Sequence, residues 1–295
     1  MYIESSADIM ERITKELSIK GVPIKVHGIS TGLISLKEKA VNVKNPGMLS
    51  LLPTFFSKKF APMMPIWCWV VQHPEGNILI DLGENSKVHN PNYFKVLDAV
   101  SSYYFRTQMK FDVKREDELD MQLKELGLTP ADIDRVVLTH LHLDHTGCLE
   151  YFLNHSIEIN KLENEKPEGV FPQLFPEGFS PIYVELDEAY EVFGTCRYLT
   201  EDKSMLMVPT PGHSYGHSSI LLKTDQGEIL FAGDAVYYEE QLAADRFSAT
   251  VANKEMSIAS IGKIKEYART HKMVFLPSHD QDAIRKLEKM EYLKG

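Results

Sequence analysis

The sequence predicts an α+β protein built as a four-layer αββα sandwich, with two β-sheets packed between outer helices. Two observations carry this. A hairpin pattern is written twice, first as PIWCWVVQ, HPEGN and ILIDLG, then as SSILLKT, DQGE and ILFAGD, and each copy carries an aspartate at the end of its second strand. Helical stretches separate the strands in both halves, and such chains bury one face of each sheet against the other and the second face under helices.

Taken in order, residues 6–19 place Ile9, Met10, Ile13 and Leu17 at helical spacing behind a serine-rich start. This predicts an amphipathic helix within an N-terminal extension, residues 1–22, whose role is packing. VPIKVHGI predicts the first strand. Residues 37–65 form an apolar loop segment. Its core, PGMLSLLPTFFSKKFAPMMP, mixes four prolines with Phe55, Phe56, Phe60, Met48, Met63 and Met64. That is too proline-rich for a regular element and too apolar for a solvated loop, so it either covers a core or lines an apolar pocket.

The first hairpin follows. EDELDMQLKELGL predicts a helix stopped by Gly127, and TPADIDRVVLTH a short helix start, with Thr129 as cap and Pro130 at the first position, leading into a strand. Residues 161–180, charged and then rich in Pro and Gly, predict a surface excursion. YVELDEAYEVF predicts a strand then a helix, and MVFLPSHD, after the second hairpin, a strand ending at a histidine. Residues 1–295 read as one domain.

Composition narrows the function. A formal charge of −10 argues against nucleic acid as the partner, because phosphate binding needs a basic surface. No stretch approaches the ~18–20 apolar residues of a membrane span. MYIESSADIMER lacks a signal-peptide core. Cys68, Cys148 and Cys196 are odd in number and show no CxxC spacing, so they read as reduced thiols. Together these predict a cytoplasmic protein with a small-molecule substrate.

The chemistry concentrates in THLHLDHTG, residues 139–147, which follows the apolar run VVL. Strand geometry would send His140 and His142 to one side as the strand ends, the arrangement for two imidazoles to grip one metal ion. The next turn would bring Asp144 and His145 to a neighbouring position. Imidazole with carboxylate suits zinc and other borderline divalent ions. More ligands are needed, and three strand ends supply them: His213 in TPGHS, Asp234 in FAGD and His279 in LPSH. Two ions with Asp234 between them would use all of these side chains.

HLHLDH, followed by the lone histidine of PGHS, the aspartate of AGDA and the histidine of PSHD, resembles the metallo-β-lactamase fold superfamily of hydrolases, over residues 66–285. The resemblance implies a dinuclear site with two divalent ions, zinc being the expected metal although manganese, cobalt and iron suit the same ligands. By it, His140, His142 and His213 hold one ion, Asp144, His145 and His279 the other, and Asp234 bridges. Asp81, in ILIDLG, supports the ligand loop through hydrogen bonds without binding metal. A finer cue is GDAVY. In the N-acyl homoserine lactone lactonases of this superfamily a tyrosine three residues after the bridging aspartate bonds the substrate, and Tyr237 holds that position; the alternative is an ordinary aromatic packed beside the site. The chain departs from the pattern at Cys148, where a second glycine is usual, and there the thiol is read as packing. Asp280 is read as a carboxylate orienting His279, and His217 as a structural hydrogen-bonding histidine.

The implied reaction is opening of the lactone ring by attack of a metal-bridging hydroxide, with Tyr237 stabilising the oxyanion and Asp144 carrying the proton to the leaving alkoxide. The acyl tail would lie on the Phe/Met-rich segment, at Phe55 and Phe56, with Trp67 and Trp69 nearby; the same residues suit the contact of a homodimer equally. The nearest alternative is hydrolysis of another ester, a thioester or a phosphotriester on the same site. Redox relatives of this fold carry a glutamate at the position of His142 and a flavin domain, and neither is found in the sequence.

Overall fold

The computed structural model describes residues 12–294. The chain opens with β1 (Arg12–Ile19) and β2 (Val22–Leu36), an antiparallel pair with Ile19 opposite Val22. This corrects the expected N-terminal helix over residues 12–19; Ile9 and Met10 lie outside the described residues. Ile13 and Leu17 are four apart, a spacing that satisfies a period of two as well as one of 3.6. The deciding signal is the two-residue turn. Lys20 (φ 49°) and Gly21 (φ 79°) are both left-handed, and that turn matches the twist of a tight hairpin.

The expected loop over residues 37–65 is corrected too. It contains α1 (Glu38–Val41) and α2 (Met48–Phe55). Pro53 sits two residues from the end of α2, where the missing N–H removes one bond of a short helix. The predicted hairpin follows as β3 (Met64–His73) and β4 (Gly76–Ile80), then α3 (Ala99–Gln108), β5 (Met109–Asp112) and α4 (Leu119–Glu125). Thr129 and Asp132 cap the turn before β6 (Arg135–Val137). Then come α5 (Leu143–Thr146), β7 (Ser156–Asn160), α6 (Leu162–Glu165) and β8 (Ile182–Val184).

The remaining strands are β9 (Glu188–Tyr190), β10 (Gly194–Tyr198), β11 (Met205–Pro209), β12 (Ser218–Thr224), β13 (Gly227–Gly233) and β14 (Met273–Pro277). Between β13 and β14 lie α7 (Glu239–Ala244) and α8 (Lys254–Ala268), and α9 (Ala283–Lys289) follows β14. One sheet runs β1-β2-β3-β4-β6-β7-β8 with β5 beside β2, and the other runs β14-β13-β12-β11-β10-β9.

Side-chain alternation builds the layers. Trp67, Trp69, Ile80 and Val137 of the first sheet meet Met207, Ile220, Phe231 and Leu276 of the second in one buried cluster. The opposite faces carry Cys68, Val70, Leu79 and Val136 under α4, and Leu206, Leu221, Leu230 and Phe275 under α8. This is the predicted αββα sandwich. Among the described residues no helix is long and apolar enough to cross a membrane.

Candidate metal centre

The seven histidine and aspartate side chains singled out in the sequence converge at one end of the sandwich. His140 and His142 lie beyond β6, which ends at Val137, so a loop and the short helix α5 carry the HLHLDH motif instead of the expected strand end. His213 sits between β11 and β12, Asp234 directly after β13, and His279 shortly after β14. His142 Nδ1 lies 2.8 Å from His213 Nε2. Asp234 faces both ways: Oδ2 is 3.3 Å from His213 Nε2, and Oδ1 is 3.3 Å from His145 Nε2 and 3.4 Å from His279 Nε2. Asp144 Oδ2 is 3.3 Å from His279 Nε2.

Two three-residue groups, His140 with His142 and His213, and Asp144 with His145 and His279, each bring ligand atoms within 4.8 Å of one another. The chemistry of the cluster fits metal. His140 Nε2, His145 Nε2 and Asp234 Oδ1 are buried without a hydrogen-bond partner among the described residues. Native proteins rarely leave such atoms orphaned unless something else satisfies them. Here three imidazole or carboxylate atoms point at common space.

Electrostatics agree. Burial works against charge on His145 and His279, yet Asp234 and neighbouring carboxylates outweigh it. They raise His145 well above the ordinary range and His279 to about 10. Burial would also lift Asp234, but His279, His145 and His213 hold it well below the usual carboxylate range. His140 is pushed well down by burial and by its neighbours His145 and His142. The carboxylates therefore favour positive charge at His145 and His279, the charge a bound cation would bring.

A second tier fixes the ligands. Asp81 carries φ 58°, a conformation uncommon outside glycine, and its carboxylate accepts from Thr139 N, Thr139 Oγ1 and His145 Nδ1, each at 2.8 Å. His217 Nε2 accepts from Asp234 N at 2.9 Å; burial lowers this ring to about 4, which keeps it a neutral acceptor. Cys148 is packed in the core, as expected. Asp280 does not orient His279. Its carboxylate meets Lys286 Nζ at 2.6 Å, and the His279 ring bonds Pro65 O at 2.8 Å. Sequence reasoning missed Pro65, Glu163 and Glu168, whose carbonyl lies 2.9 Å from His142 Nε2. Residues 161–180 are thus no mere surface excursion but lean on the cluster.

A cavity of about 490 Å³ opens onto His142, Asp144, His213, Asp234 and His279. Tyr237 lines it, 5% exposed, with its ring 5.0 Å from that of His279, and its hydroxyl donates to Ser248 Oγ at 3.0 Å. Burial, with Asp234 nearby, raises the phenol, so it stays protonated. The apolar wall comes from Ile34, Leu36, Leu51, Phe105, Met109 and Phe171. None of the four residues expected there contributes. Trp67 and Trp69 are turned into the layer between the sheets, and Phe55 and Phe56, at the end of α2 and just after it, are 41% and 86% exposed.

The family model of the metallo-β-lactamase superfamily matches residues 96–294. The chain belongs to the metallo-β-lactamase superfamily. With the cluster described above, it is a metal-dependent hydrolase of that superfamily. It is similar to an N-acyl homoserine lactonase of Bacillus cereus, 30% identical over 227 residues that cover 74% of this chain and 82% of that protein. An N-acyl homoserine lactonase of Bacillus thuringiensis is 28% identical over 267 residues, 87% of this chain and 93% of that one. The fold matches an N-acyl homoserine lactone hydrolase solved with N-hexanoyl-L-homoserine at its catalytic metal center, with TM-score 0.69, 23% identity, and coverage of 92% and 94%.

Proposed function

We propose that this superfamily member is an N-acyl homoserine lactonase that works with two divalent ions, zinc the expected pair. The observation that carries the reading is one cavity that joins a histidine–aspartate cluster and a buried, protonated tyrosine to an apolar wall. Similarity to lactonases over most of the chain supports the same substrate class. His140, His142 and His213 would hold one ion, Asp144, His145 and His279 the other, with Asp234 shared. Bound there, two divalent ions would supply an acidified water and polarise a carbonyl.

The chain's own residues do the rest. Tyr237, whose hydroxyl donates to Ser248 Oγ and lies beside Thr250, would turn that single O–H to the oxygen on which charge develops as the lactone carbonyl is attacked, with Ser248 then donating to the phenol oxygen. Asp144, on the cavity surface, accepts the proton released on attack and returns it to the departing ring oxygen. The apolar wall seats the acyl chain and keeps bulk water from the ester bond. Three buried, unpaired cysteines support a reducing cytoplasm as its setting. The exposed apolar residues Leu49 and Leu52 of α2, with Phe56 just after it, keep a homodimer part of the reading.

The test is proton release from purified protein given short- and long-chain N-acyl homoserine lactones, a thioester and an aryl phosphotriester, with and without chelator treatment. Chelator-sensitive opening of the lactones alone is the expected result. Chelator-sensitive turnover of another substrate with the lactones inert would overturn the lactonase reading and leave the metal site standing.

A further inference from the structure

Glu163 stands on α6, in a stretch whose charges look solvated, yet it is 1% exposed. Its Oε2 accepts from Leu141 N at 3.0 Å, the residue between His140 and His142. Its Oε1 accepts from Gly216 N at 2.9 Å and from the hydroxyl of Ser214, the residue next to His213. One carboxylate thus joins the two loops that carry His140, His142 and His213. The fit leaves no slack: a Cβ on Gly216 would lie 2.4 Å from Glu163 N. The other set of side chains is held elsewhere, His145 by Asp81 and His279 by Pro65 O.

We propose that Glu163 is a positioning residue for the His140–His142–His213 pocket alone, setting the separation of its two loops so that one of the two ions is bound tightly. The proposal rests on the two-ion reading above and not on the identity of the substrate. The chemistry of Glu163 is specific. Three donors converge on it, so the residue must be acceptor-only and long enough to reach both loops. Glutamine would turn an NH₂ towards an N–H or hydroxyl donor, and aspartate is one methylene short. Groups of this kind that orient ligands change metal affinity about 10–100-fold when replaced.

The experiment strips the full-length protein of metal and titrates it with Co²⁺, reading heat, visible absorption and metal content after dialysis. The unaltered protein should bind two ions. Glu163→Gln should weaken one of them about 10–100-fold and leave the other within twofold; the donor left unpaired should also lower the thermal midpoint of the metal-free protein, a loss that by itself would not single out one ion. Ser214→Ala should weaken the same ion by less. In a His142→Ala background, which retains only the Asp144–His145–His279 pocket, Glu163→Gln should no longer alter affinity. Equal loss at both ions, loss at neither, or an effect that persists with His142→Ala would overturn the proposal. Should Glu163→Gln fail to fold, Ser214→Ala decides by the same readings. Fewer than two ions in the unaltered protein would instead refute the two-ion reading itself.

Discussion

At the scale of single residues, the centre depends on groups that touch no ligand space at all. Asp81 bonds His145 directly and reaches His140 through Thr139, whose hydroxyl lies 3.1 Å from His140 Nδ1. Asp81→Asn preserves shape and tolerates the left-handed backbone, yet an amide cannot accept from all three donors. Metal affinity should fall about 10–100-fold at both pockets, measured by competition with a chelating dye. Loss at one pocket only would show that the Thr139 link is idle. Tyr237→Phe removes one donor without emptying the site. On the proposed reaction kcat for lactones should drop about 10²–10³-fold with metal content unchanged. A kcat within threefold of the parent would reduce Tyr237 to packing.

At the scale of elements, the apolar wall of the cavity is built by β2, α3, β5 and the chain after α6, with one residue from α2. Phe105 on α3 is 7% exposed, stacks on Phe94 at 4.9 Å and meets Phe171 at 5.1 Å. Phe105→Ala should raise KM for long-chain lactones tenfold or more and spare short ones, from about 1.5–3 kcal/mol of lost apolar burial. Phe56→Ala, at the exposed residue that follows α2, should leave the chain-length profile as it was; a shift with Phe56 and none with Phe105 would move the wall. The seven cluster residues were legible because their side-chain types sit in short motifs at element ends. The wall was not. Both faces of β3 are buried, so alternation alone could not say that Trp67 and Trp69 face the second sheet instead of the cavity. Glu163 left no local mark either, since it acts on the backbone at Leu141 and Gly216, far away in sequence. Ile13 and Leu17 misled for a simpler reason, a spacing common to helix and strand.

At the scale of the whole molecule, buried charge couples stability to pH and to metal. Without metal, His279, raised from 6.5 to about 10, contributes stability that is full below pH 6.5 and lost as pH climbs towards 10. Asp234, depressed from 3.8, contributes above that value and loses its share only as pH falls through its lowered range. The two contributions coincide between pH 3.8 and 6.5. Thermal scans of stripped protein should therefore show Tm falling as pH rises above 6.5, whereas metal-loaded protein, stabilised by mass action, should melt higher and vary less. Calorimetry in buffers of different ionisation enthalpy should register protons released on metal uptake at pH 8. A stripped protein with flat Tm over this range would contradict the charge pattern.

The ligand sets of the two proposed pockets also differ in when they are made. Residues 140, 142 and 213 complete one set, whereas the other waits for residue 279, 66 positions later on the chain. At ribosomal speeds of 5–20 residues per second that gap lasts roughly 3–13 s. Translation thus delivers every histidine of the first set before β14 has been made, while the folded domain that shapes either pocket waits for that last strand.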